Sequence, residues 1–192
     1  MIRALYDWTM RLGQSKYGIW GLVLVAFAES SFFPIPPDIL LIPMVLSLRT
    51  RAFYFAFVAT FASVLGGAFG YLIGSYGFDA IGQPLLAFYQ YEDQFESFKQ
   101  TFNEWGAWSV FVTGVTPFPY KVITITSGVT GLDFGIFMLT SVAARGARFF
   151  LVAGLLYYFG APIREFIEKR LGLLFIVFCV LLIGSFVLIK YV

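Results

Sequence analysis

The chain has 192 residues and a net charge of only +2, yet 59% of it is hydrophobic, 12% is charged and its mean hydropathy is +0.83. Soluble domains run about 45–50% apolar and about 25% charged, and so few charges cannot cover a surface that must also hide 24 Phe, 11 Tyr and 4 Trp, so this is an integral membrane protein. One cysteine, Cys179, allows no internal disulfide; the absence of histidine removes His-dependent hydrolysis, haem ligation and most zinc sites; and the small net charge gives no footing for nucleic acid. Neither an enzyme nor a cofactor is expected.

Residues 1–16 mix Arg3, Arg11 and Lys16 with Asp7 and Gln14, and place Leu5, Trp8 and Leu12 on one face. They read as a short interfacial helix, not a cleaved signal. The apolar region Tyr17–Leu48 is broken by Pro34, Pro36, Pro37 and Pro43, whereas Ala52–Ser75 is uncharged and long enough for one span of about 20 residues. A polar stretch follows. In it Phe88, Phe95, Phe98, Phe102 and Trp105 recur at helical spacing opposite Glu92, Asp93, Glu96, Lys99 and Glu104, the pattern of an amphipathic surface helix. Trp105–Gly131 is broken again, by Pro117 and Pro119; Phe134–Gly160 holds Arg145 and Arg148; Gly172–Ile189 is uncharged and just long enough to span.

The first half has an echo in the second. Pro34-Ile35-Pro36-Pro37-Asp38 recurs as Pro117-Phe118-Pro119-Tyr120-Lys121, Tyr17-Gly18-Ile19-Trp20 as Trp105-Gly106-Ala107-Trp108, and Gly77 as Gly160. Each half therefore reads aromatic-Gly-x-Trp, apolar helix, Pro-x-Pro, apolar helix, uninterrupted span. This predicts one all-α polytopic membrane domain over 1–192. Its parts are an interfacial helix (1–16), repeat 1 (17–77), an amphipathic linker (78–104), repeat 2 (105–160) and a C-terminal span (161–192).

Charge orients these parts. If each proline-broken region crossed the bilayer, Arg3, Arg11 and Lys16 would face away from Arg49 and Arg51, against the positive-inside tendency. If each instead dips in and returns, those residues share one side with Arg164, Lys169 and Arg170, and the acidic stretch falls on the other. Re-entrant hairpins also explain Pro34, Pro36, Pro117 and Pro119, which break helices and leave backbone groups that hydrocarbon cannot satisfy. The two hairpins then enter from opposite faces, as inverted repeats. Residues 1–16, 49–51 and 161–171 are expected in the cytoplasm, and 76–104 and the C-terminus outside.

Glu29, Asp38, Lys121, Arg145 and Arg148 lie inside apolar regions, where each costs about 2.5–3.5 kcal/mol at mid-span, so each needs a partner or a wet cavity. Arg145 and Arg148, three apart, share a helical face. Asp38 and Lys121 hold equivalent places in the repeat, which predicts that they approach each other. Three bases against two acids leave one cation unmatched, and an anion such as a lipid phosphate completes the count. Thr116, Thr124, Thr126 and Ser127 supply hydroxyls suited to such a ligand. The bland alternative is that the five charges only neutralise one another. Ala62, Gly66, Gly70 and Gly74 form a small-residue stripe, widened by Ser63 and Gly67, that favours close helix packing.

Glu29-Ser-Ser-Phe-Phe-Pro34-Ile-Pro36-Pro-Asp38, the glycine-rich span after it, and Thr116-Pro-Phe-Pro-Tyr-Lys121 followed by Ser127-Gly128 resemble the DedA family of bacterial inner-membrane proteins (VTT-type, SNARE-associated), above all its short YqaA-like branch. The resemblance covers roughly Tyr17 to Gly160. It implies two facing re-entrant hairpins and lipid transport or scrambling, with undecaprenyl phosphate or phosphatidylethanolamine as cargo and coupling to the proton motive force. It also implies that Glu29 and Asp38 are the essential membrane acids. The second-half pattern departs from the family's usual Arg-x-x-Pro-x-x-Arg: no arginine precedes Pro117, and Lys121 is the only base near the second arginine's place. A lysine lacks the planar two-pronged grip of arginine.

The expected function is to carry a lipid with an anionic phosphate headgroup across the bacterial cytoplasmic membrane, with protons as coupling partner. In this reading Lys121, Arg145, Arg148, Thr116, Thr124 and Ser127 bind the headgroup, and Glu29 and Asp38 exchange protons. The rivals are a proton-coupled small-solute or ion antiporter and a non-transporting scaffold or assembly factor. The sequence leaves the oligomeric state open.

Overall fold

The computed structural model describes residues 17–33, 35–89, 92–116, 119–160 and 162. The expected interfacial helix, most of the expected C-terminal span, Pro34 and Pro117 lie outside the described residues. Every regular element among the described residues is helical. In chain order they are α1 (Gly18–Ser31), α2 (Asp38–Ser47), a 3₁₀ turn (Arg49–Arg51), α3 (Ala52–Gly77), a π-helical turn (Phe78–Gly82), α4 (Gln83–Tyr89), α5 (Glu92–Glu104), α6 (Gly106–Val115), α7 (Tyr120–Val129) and α8 (Phe134–Gly160).

The two echoed motifs start corresponding helices. Tyr17 caps α1 and Trp105 caps α6, so each short helix begins at the glycine of its aromatic-Gly-x-Trp motif. Pro37 and Pro119 precede α2 and α7, where a missing N–H costs nothing because the first turn of a helix has no partner for it. Between α1 and α2 the chain is irregular, the Phe32 and Phe33 N–H groups both turning back to Ala28 O (2.9 and 2.7 Å). Pro43 does not break the second segment, contrary to its reading in the sequence. It sits buried inside α2, where its ring removes one backbone hydrogen bond and the helix runs on to Ser47.

Length sorts the helices into two kinds. At about 1.5 Å per residue, the 26 residues of α3 and the 27 of α8 exceed the roughly 30 Å of a hydrocarbon core. The 14 residues of α1 and the 10 each of α2, α6 and α7 do not. α8 coincides with the apolar region Phe134–Gly160 read from the sequence. Its start is fixed by local chemistry. Gly131, at φ 66°, ends α7 with Leu132 N–H bonding back to Ser127 O (3.0 Å) and its own N–H to Gly128 O (3.2 Å), and Asp133 Oδ1 then accepts the Ile136 N–H (2.8 Å) at the head of α8.

α3 is the spine, packed along α1 and α7. The small-residue stripe faces inward. A methyl group built on Gly66 would collide with the Phe27 backbone, one on Gly74 with the Ile125 backbone, and one on Gly70 would lie 3.1 Å from Ser30 O. α8 runs antiparallel to α3: Phe53 meets Tyr157, Ser63 meets Arg145, and Tyr71 donates to Leu132 O (2.6 Å). Two apolar cores result. One gathers Leu22, Leu41, Met44, Phe55 and Phe149 toward the Arg49 end; the other gathers Val110, Tyr120, Ile123, Leu132 and Phe137 toward the Asp133 end. Phe57, Phe61, Leu139, Leu151 and Tyr158 point outward, a distribution suited to hydrocarbon and not to water.

The acidic stretch forms two helices, not one. Phe88 lies on α4, while Phe95, Phe98 and Phe102 form a continuous aromatic row on α5, with Phe78 stacked on Phe95.

Candidate functional site

The intramembrane charges converge where the ends of α1 and α6 and the starts of α2 and α7 meet the middle of α8. Arg145 Nη2 lies 2.8 Å from Glu29 Oε2, and Arg145 Nε donates to Ser63 Oγ at 2.6 Å. Ser63 Oγ is 2.7 Å from Ser30 Oγ, which in turn donates to Glu29 Oε2 (3.1 Å). The guanidinium lies over the rings of Tyr120 and Phe149, 4.7 Å from each centroid, and the Tyr120 hydroxyl donates to Ser141 Oγ (2.5 Å). Arg145 is wholly buried and the Glu29 side chain is 13% exposed. Side chains from four helices, α1, α3, α7 and α8, two of them aromatic, therefore enclose one ion pair.

One turn further along α8 the arrangement loosens. Arg148 Nη2 contacts Asp38 Oδ2 at 2.5 Å with a single nitrogen, and Nη1 donates to the Thr116 carbonyl oxygen at 3.1 Å. These side chains are 15% and 20% exposed. Arg148 thus bridges the start of α2 to the end of α6, joining the two breaks. Asp38 Oδ1 and Arg145 Nη1 are buried with no hydrogen-bond partner among the described residues.

Asp38 and Lys121 do not pair. α8 passes close enough to both breaks for Arg148 to take Asp38, and a guanidinium both spans further and forks where an ammonium is a point charge. Lys121, partly buried, makes no ion pair among the described residues. Of the hydroxyls, Thr116 Oγ1 reaches Thr113 O (3.4 Å), and Thr124 Oγ1 donates to Ser30 O (3.0 Å) or alternatively to Lys121 O (2.9 Å), tying α7 to α1. Ser127 Oγ is buried without a partner among the described residues, and Thr126 lines an apolar groove with Phe102, Trp108 and Val122 away from the ion pairs. Pro36 and Pro119 flank the breaks.

Ser30, Ser63, Tyr120 and Phe149 surround the Glu29–Arg145 pair, and sequence reasoning passed over them as its partners. Their signal was faint: Ser63 counted as a small packing residue and Tyr120 as a spacer within Pro-Phe-Pro-Tyr-Lys. Hydroxyls on the inward face of an apolar helix point to a buried charge that needs donors and acceptors.

The family model of the VTT domain matches residues 35–158. The chain belongs to the VTT-domain (DedA) family. An uncharacterized protein of Haemophilus influenzae is 40% identical over 168 residues, covering 85% of this chain and 87% of its own length. One from Histophilus somni is 41% identical with the same coverage, and one from Methanocaldococcus jannaschii is 26% identical over 133 residues, 69% of this chain and 79% of its own. No solved structure matches. Membership in the VTT family makes this a helical membrane protein, with α3 and α8 long and apolar enough to cross a bilayer. The matched VTT segment contains Asp38, Lys121, Arg145 and Arg148, while Glu29 lies ahead of it.

Proposed function

We infer that this VTT-family protein moves a lipid with an anionic phosphate headgroup across the bacterial cytoplasmic membrane, the headgroup docking at the second break beside Lys121 and Arg148. The charge balance carries this reading. Both acids of the apolar segments are engaged by α8 arginines, and the remaining cation is Lys121, which has no counter-charge among the described residues. A lone ammonium at membrane depth is costly unless something anionic visits it. Arg145 is enclosed by Glu29, Ser63, Tyr120 and Phe149, so the headgroup meets Arg148 and Lys121 and not Arg145.

In this reading α1/α2 and α6/α7 are re-entrant hairpins entering from opposite faces. Their helices are too short to span. Ile19 of α1 and Leu46 of α2 share the core at the Arg49 end, whereas Gly106 of α6 and Gly128 of α7 lie against Leu132 and Tyr71 at the other. Positive-inside bias puts Arg49 and Arg51 in the cytoplasm and α5, with Asp93, Glu96 and Glu104, outside.

The test is a flip assay in proteoliposomes comparing undecaprenyl phosphate, phosphatidylethanolamine and a lipid lacking phosphate. Faster translocation of a phosphate lipid, lost in Lys121→Gln and Arg148→Gln, is the expected result. Movement of small ions with no dependence on the lipid would favour an antiporter instead.

A further inference from the structure

We propose that the groove between α5, α6 and α7 seats the hydrocarbon chain of the lipid whose headgroup docks at the second break. The inference rests on the lipid reading above and adds where the chain lies. The groove has a volume of about 730 Å³, the size of a ligand site and not of a packing defect. Its shape follows from side-chain size. α6 and α7 run antiparallel away from the break, so Ser109 stands level with Thr126 and Thr113 level with Val122. The small side chains Ser109, Thr113 and Thr126 are partly buried and form a floor, while Trp108 and Val122 are exposed at the rim and Phe102 closes the α5 side. That α5 wall is held in place from two directions. Asn103 Nδ2 donates to Thr130 O at the end of α7 (3.1 Å), and Phe95 stacks on Phe78 at the end of α3, with ring centroids 4.6 Å apart. The groove is therefore preformed.

Continuity and chemistry both say what fills it. At its inner end Val122 follows Lys121 in the chain, the Thr113 carbonyl accepts the Thr116 hydroxyl (3.4 Å), and the Thr116 carbonyl in turn holds Arg148 (3.1 Å). A chain attached to a headgroup beside Lys121 and Arg148 thus leaves the break along the floor of the groove. The lining carries aromatic, aliphatic and hydroxyl groups and no charge, so a polar solute or an ionised peptide finds no counter-group in it. Within a bilayer the abundant slender apolar group is a lipid chain. From Thr113 back to the start of α6 the groove runs about 10 Å at 1.5 Å per residue, enough for the first part of a long chain, with the remainder left in the bilayer. Hydrocarbon outside the groove is as apolar as hydrocarbon inside it, so burial alone gives little preference. The preference comes from close contact on three sides and from the tether to the docked headgroup, and both are lost when the floor is filled.

The experiment uses the full chain in proteoliposomes and a decyl phosphate carrying a photoactivatable diazirine midway along its chain, with peptide mass spectrometry to read where it attaches. Label should collect on α6 and α7 at the groove, several-fold above the outward residues Leu139 and Leu151 of α8. Ser109→Phe and Thr126→Phe fill the floor from opposite sides; each should lose the label and slow translocation of phosphate lipids several-fold. Thr126→Leu serves if the larger ring does not fold. Leu151→Phe, on the outward face of α8, should keep both label and rate. Even labelling of all outward faces overturns the groove as a chain site and leaves the phosphate reading to its own flip assay. Loss of the label with translocation unchanged also overturns the inference, because the chain then sits off the transport path. Equal groove labelling by decanol bearing the same diazirine keeps the chain site and overturns phosphate as the group that brings the lipid there. Oxidation of Ser109→Cys to an internal disulfide with Cys179 would mean that the chain's own terminal segment covers the groove, and disulfide-linked dimers of Ser109→Cys/Cys179→Ser that a second copy does. Either result overturns the lipid as occupant.

Discussion

Two arginines one helical turn apart on α8 face two acids, and the surroundings make them different devices. Arg145 has a carboxylate, a serine hydroxyl and two aromatic faces around it and is closed to solvent. Arg148 has one carboxylate oxygen, one backbone carbonyl and a more distant aromatic face, 5.9 Å away at Phe149. Both pairs are made by one nitrogen and one oxygen and each leaves a buried polar atom without a partner among the described residues, so what separates them is enclosure. A pair closed to solvent is costly to open, whereas a partly solvated one can trade partners. The first reads as the joint that sets the two breaks against α8, the second as the place where chemistry changes.

The largest effect should come from breaking the closed pair. Arg145→Gln or Glu29→Gln leaves a buried charge unmatched and should cost about 3–5 kcal/mol, seen as a large drop in thermostability in detergent. The double variant Glu29→Gln/Arg145→Gln should recover most of it, since two neutral amides can bond each other and Ser63. Equal losses for the double and single variants would mean that the partners are not coupled.

Next comes the close approach that holds both breaks to α3. Gly66→Ala and Gly74→Ala each push a methyl into backbone, of Phe27 and Ile125, and overpacking of this kind costs about 1–3 kcal/mol. Gly77→Ala, with nothing within 4 Å of the added carbon, is the matched control and should change stability little. A similar melting temperature for all three would show that α3 does not carry the two breaks as tightly as the geometry implies.

Much of this frame was legible in the sequence, because hydropathy and proline act locally. The start of α8 follows from an apolar run opened by Gly131 and Asp133, and the breaks follow from Pro37 and Pro119. The pairing of charges was not legible. Internal repetition makes Asp38 and Lys121 equivalent, but equivalence under a pseudo-symmetry does not make two side chains partners when a third helix carries arginines at the right phase. Ser63 was hidden for a related reason: a serine in a glycine-rich stripe packs closely and donates or accepts with the same few atoms, and sequence records only the size.

Arg148→Gln should cost less than Arg145→Gln. Its pair lies between an exposed one, worth about 1 kcal/mol or less, and a buried one worth about 3 kcal/mol or more. Transport, though, should fall to background, because the phosphate loses its two-pronged donor. Arg148→Lys should keep most of the stability and recover only part of the rate, charge being restored without the planar fork. Parallel losses of stability and rate in Arg145 and Arg148 variants would erase the distinction between the pairs.

The smallest stability change, and the sharpest separation of stability from activity, belongs to Lys121→Gln. Lys121 stands at the head of α7 with no ion pair among the described residues, so removing its charge breaks no bridge. It relieves the cost of holding an ammonium in an apolar segment, and the fold should be unchanged within about 0.5 kcal/mol or slightly stabilised. If the cation serves only to balance charge inside the protein, the variant should transport normally. If it meets a phosphate at the second break, translocation of phosphate lipids should drop while the melting temperature holds or rises, and Lys121→Arg should restore it. The decisive readout is therefore the pair of numbers from one preparation: a stable, inactive Lys121→Gln supports a ligand at this lysine, and a stable, fully active one removes Lys121 from the site and leaves Arg148 as its only cation.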